Sequence, residues 1–95
     1  MLNGGDSDWL GIDFHVASER YVSTLRDDEH FVVACEHDTG HGMPPMEPPV
    51  EEYTKFYALW RFMLDHPYEV QANDSPYLVD GSLPDYYPEW CGIAP

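Results

Sequence analysis

The stretch Phe31-Val32-Val33-Ala34-Cys35-Glu36-His37-Asp38-Thr39-Gly40-His41-Gly42 decides how this chain is read. Its first five residues are apolar throughout and rich in β-branched side chains. That pattern predicts a short strand over 31–35, buried on both faces as in a parallel sheet covered by helices. Residues 36–49 then read as a loop, broken by Gly40, Gly42, Pro44, Pro45, Pro48 and Pro49. A strand that ends in a histidine-bearing loop is a common way to hold chemistry at a sheet edge.

Upstream, Ile12 to Arg26 predicts a helix. Phe14, Ala17, Tyr21, Val22 and Leu25 recur at three- and four-residue steps, and Asp13 and Arg26 suit the two ends of the helix dipole. Before it, residues 3–8 (Asn-Gly-Gly-Asp-Ser-Asp) read as an acidic loop. Downstream, a second helix is expected over 50–64. Pro48-Pro49 precede it, Glu51-Glu52 fill its first turn, and Pro67 stops it. Tyr53, Phe56, Tyr57, Trp60, Met63 and Leu64 would form its apolar face. The tail, 68–95, carries Pro76, Pro84, Pro88 and Pro95 and no periodicity, and its aromatics suggest packing against something larger. The order is loop, helix, strand, loop, helix, tail. The fold class is α/β with an incomplete sheet. A lone buried strand needs neighbours, expected from a missing N-terminal segment, a partner chain or self-association.

Composition narrows the function. With 95 residues the chain is one small, partial domain at most. A net charge of −14 repels phosphate backbones and anionic bilayers, so no nucleic acid and no membrane surface is expected as a partner. The bland reading of that charge is a solvated acidic face. No apolar run approaches the ~20 residues of a membrane span, and no signal peptide is visible after Met1. The two cysteines, Cys35 and Cys91, permit one disulfide or two reduced, buried thiols.

The order of these pieces resembles the C-terminal end of α/β-hydrolase-fold serine hydrolases, in which the triad runs serine, acid, histidine along the chain. There the acid sits in a turn after a late strand. A helix and the last strand come next, then a loop with Gly-His and a final helix. Gly5-Asp6-Ser7-Asp8, the helix from Ile12, the strand 31–35, Gly40-His41 and the helix from Val50 match that sequence of parts. The chain also resembles secreted esterases of the polyhydroxybutyrate-depolymerase and feruloyl-esterase type. In those, a Trp-Arg-Phe helix, a His-Pro-Tyr turn and a Pro-rich end with cysteine recur, as Trp60-Arg61-Phe62, His66-Pro67-Tyr68 and Tyr87-Pro88-Glu89-Trp90-Cys91 do here.

The resemblance implies a parent that cleaves carboxylic esters through an acyl-serine, is secreted or periplasmic, and needs no cofactor. It implies His41 as the proton shuttle and Asp8 as the carboxylate that orients it, with Asp6 as the alternative acid. Two departures stand out. No Gly-x-Ser-x-Gly surrounds Ser7, Ser18, Ser23, Ser75 or Ser82, so the chain alone is not expected to turn over an ester. Glu29 stands in the turn before the strand, where such hydrolases often carry glycine.

Two other readings compete. One is a free-standing acidic interaction domain without catalysis. The other is a metal protein using His37-x-x-x-His41, but Gly40, Gly42 and Pro44 oppose the helix that spacing needs, and no metal site is assigned. His15 and His30 read as surface or turn residues, and His66 as packing against the end of the second helix.

Overall fold

In the computed structural model, which describes residues 1–49 and 52–95, two helices pack around a mixed three-stranded sheet. The elements are β1 (Leu2–Asn3), α1 (Phe14–Asp27), β2 (Val33–Glu36), α2 (Tyr57–Asp65) and β3 (Cys91–Ile93), with 3-10 turns at Gly5–Ser7, Ala72–Asp74 and Pro76–Leu78. The architecture is mixed α/β. β2 lies in the middle, parallel to β1 on one side and antiparallel to β3 on the other. The expectation that the strand's neighbours come from outside the chain is therefore corrected: residues 2–3 and 91–93 supply them. Strands of two and three residues carry too little alternation to be seen in sequence.

α1 starts two residues later than its apolar pattern suggests. Asp13 sits at the N-cap, its Oδ1 accepting a hydrogen bond from the Val16 amide at 3.0 Å. The helix rests on β1 and the acid loop. Phe14, Val22 and Leu25 are half-buried, while Ala17 and Tyr21 of the same expected stripe face solvent. The C-terminus of α1 closes with the Glu29 amide donating to the Arg26 carbonyl and the His30 amide to the Leu25 carbonyl. This is the Schellman arrangement, and it puts Glu29 at φ 62. The glycine expected in that turn by resemblance would meet a real backbone demand.

The second helix is shorter than expected over 50–64. Val50 and Glu51 lie outside the described residues; Thr54 is irregular and α2 begins only at Tyr57, after Phe56 takes a left-handed conformation at φ 63. The apolar face is also rotated. Ala58 is buried, Tyr57 and Phe62 are half-buried, and Trp60, Met63 and Leu64 are exposed.

The core is Val33, Cys35, Met46, Ala58, Tyr77, Tyr86 and Tyr87. Three of these seven come from the tail, whose tyrosines thus find packing within this chain, while Tyr68 and Val79 of the same tail stand exposed. The phenols of Tyr77 and Tyr86 both donate to the Asp65 carboxylate, at 3.0 and 3.3 Å, and Tyr87 donates to the Tyr77 hydroxyl at 3.3 Å. Burial raises the Tyr77 phenol far above its ordinary range and pushes Tyr87 up to about 12. Cys35 and Cys91 are joined by a disulfide that ties β2 to β3.

Candidate functional site

β1 and β2 run parallel, so both release their loops at the same end of the sheet, where ligand and catalytic groups of open α/β sheets gather. The loop after β1 carries Asp8; the loop after β2 carries His41. The two loops meet backbone to backbone. The Gly40 amide donates to the Gly4 carbonyl at 3.1 Å, and a Cβ on Gly4 would fall on the Gly40 carbonyl. Only glycine lets the chains pass this closely. The crossing brings the two side chains together: His41 Nδ1 stands 2.9 Å from Asp8 Oδ1.

Asp8 is held from three sides. Its Oδ2 accepts from the Gly4 amide at 2.7 Å, its backbone carbonyl accepts from the Phe14 amide at 2.9 Å, and its side chain is buried. The Gly4 amide above all, then the His41 imidazole, holds its carboxyl below the ordinary carboxylate range. An ionised carboxylate only accepts, so His41 Nδ1 carries a proton, and in the neutral imidazole Nε2 is the nitrogen left with a lone pair. The His41 side chain is 47% exposed, and Nε2 has no hydrogen-bond partner among the described residues. The Phe14 ring stacks on the imidazole at 4.8 Å and limits its rotation.

Asp6, the alternative acid, points elsewhere. Its side chain is exposed, and its Oδ1 lies 3.3 Å from His15 Nε2. His37 is buried, bonded through Nδ1 to the Thr39 hydroxyl at 2.7 Å and set edge-on to Trp90, so it does not converge with His41.

A second serine–histidine contact exists. His66 Nδ1 donates to the Phe62 carbonyl at 2.8 Å, and Ser75 Oγ lies 2.7 Å from Nε2. Here the serine is 3% exposed, its oxygen also caps the 76–78 turn by accepting from the Tyr77 amide, and Phe31 and Phe62 stack on the imidazole. This pair is a packed pin that ties α2 to the tail, with no room for a substrate. Sequence reasoning placed His66 at the helix end but missed Ser75. It also missed the Gly4–Gly40 crossing and Phe14, because none has a signature outside three dimensions. Searched against protein-family models, curated proteins and solved structures, the chain matches none.

Proposed function

We propose that this chain supplies the acid and histidine of a serine hydrolase's triad, the C-terminal portion of an α/β-hydrolase fold, with the serine and oxyanion-hole donors coming from a segment outside these 95 residues. One observation carries the reading: the 2.9 Å bond between His41 Nδ1 and a buried, ionised Asp8, with Nε2 unbonded among the described residues, across the ends of two adjacent parallel strands. The order β1, Asp8, α1, β2, His41 supports it.

The chemistry comes from the tautomer. An incoming serine hydroxyl attacks an ester carbonyl while Nε2 takes its proton. Asp8 remains ionised and stabilises the imidazolium. His41 then returns the proton to the departing alcohol, leaving an acyl-serine, and repeats the transfer for the water that releases the acid. An ester substrate and an exported parent belong to the same reading. The exposed Trp60, Met63 and Leu64 and the uncovered side of α1 would contact the missing segment.

The test is made in the protein that joins this chain to whatever reading frame precedes it. A Gly-x-Ser-x-Gly in that frame is expected. His41→Ala should lower kcat on a p-nitrophenyl ester by about 10⁴-fold or more. His37→Ala should act mainly on thermal stability. Equal losses of kcat in the two variants, at equal folded fraction, would remove the assignment. The runner-up, an acidic interaction domain without catalysis, draws on the −14 charge and the same exposed apolar side chains. It gains if no such frame exists and the chain folds alone as a monomer.

A further inference from the structure

Away from the Asp8–His41 pair, a second imidazole gathers carboxylates. His15 lies in the first turn of α1 with its side chain only 14% exposed. Its Nε2 stands 3.3 Å from Asp6 Oδ1 and 3.3 Å from Glu19 Oε1. Its Nδ1 stands 3.5 Å from Glu36 Oε2 and 3.3 Å from Asn3 Oδ1. His15, Glu19 and Glu36 each offer a donor atom within 4.8 Å of the others. Three elements converge here: one face of α1 through the i, i+4 pair, the end of β2, and the acid loop.

The electrostatics of this cluster are unbalanced. One imidazole faces three carboxylates in a chain of net charge −14, and among the described residues no lysine or arginine pairs with Asp6, Glu19 or Glu36. Glu19 stands 3.3 Å from Nε2, and the exposed Glu36, on the Nδ1 edge of the ring, would swing toward it as an ion binds. Ligands about 2.0–2.1 Å from zinc sit about 3.3–3.4 Å from one another.

We propose that His15, Glu19 and Glu36 form a site for one divalent cation of the zinc class. An imidazole in the donor set favours zinc over magnesium and calcium, which prefer all-oxygen shells. The thiols that would otherwise compete are joined in the disulfide. Bound there, the ion would clamp the end of β2 to α1. The proposal is independent of whether the Asp8–His41 pair belongs to a hydrolase.

Equilibrium dialysis of the oxidised 95-residue chain against zinc chloride tests it. One zinc per chain is expected, removable by chelator and retained in millimolar magnesium or calcium. His15→Ala should weaken binding by about 100-fold and Glu36→Gln by about 10-fold, while His37→Ala and His41→Ala retain it. Zinc should raise the melting temperature of the native chain and leave that of His15→Ala unchanged. Circular dichroism of the metal-free variants separates a lost ligand from a lost fold; Glu36→Gln, a surface change, serves if His15→Ala does not fold. Absence of saturable binding, or binding lost with His41 instead of His15, overturns the proposal.

Discussion

At the scale of single residues, the candidate site depends on how Asp8 is held. Its carboxyl is pulled below the ordinary 3.8 by the Gly4 amide first and by His41 second. Because the folded value lies below the unfolded one, the ionised form favours the fold. That contribution is complete above the ordinary value and disappears as the pH falls through the folded one. Urea midpoints taken from neutrality down to about pH 2 should show the native chain losing stability in that window. Asp8→Asn should be less stable at neutrality and lose less on acidification. An acid limb of unchanged size in Asp8→Asn would mean that other carboxylates carry it. That Asp8 or Asp6 would meet His41 is an expectation from the resemblance to a hydrolase's order of acid, strand and histidine, and the contact found is with Asp8. Their contact depends on the Gly4–Gly40 crossing, and no spacing rule shows which glycines of two separate loops touch. His15 is the opposite case: a surface residue by local reading, it is enclosed only because residues 6, 19 and 36 arrive from different elements.

At the scale of elements, α1 was readable because its core-facing side chains recur with helical period and Asp13 caps it. α2 was misread at its start. Pro48-Pro49 followed by Glu51-Glu52 is a sound start signal, but the left-handed Phe56 interrupts the chain, and the Tyr57 amide closes a turn onto the Thr54 carbonyl at 3.0 Å before the helix begins. The other left-handed residue permits a direct test. Glu29 is exposed, sits at φ 62 in the Schellman turn, and uses only its backbone there. A side chain in that region costs roughly 1–2 kcal/mol, and glycine returns part of that gain as unfolded-state entropy. Glu29→Gly should therefore stabilise the chain by about 0.5–1 kcal/mol, read as a higher urea midpoint at unchanged slope. A destabilisation would show that the Glu29 side chain contributes something its exposure does not suggest.

At the scale of the whole molecule, a thin core is closed by a covalent tie. The buried tyrosines of the tail reach Val33 and Cys35 only if the chain from Pro67 onward folds back across α2, and β3 offers just three paired residues to hold it there. The disulfide spans a sequence separation of 56 residues. In the chain-entropy model a loop of that length is worth about 4 kcal/mol, a large share of the roughly 5–14 kcal/mol expected for 95 residues. Reduction should then lower the melting temperature by about 15–30 °C. Near-ultraviolet dichroism of the packed tyrosines should vanish together with the helical signal, because Tyr77 and Asp65 couple the tail to α2. A double Cys35→Ala, Cys91→Ala variant should match the reduced chain. Cys35 also precedes His41 by one short loop, so loosening β2 loosens the strand end from which the histidine is presented. An unchanged melting temperature after thiol titration has confirmed full reduction would mean that the aromatic packing holds β3 without the bond.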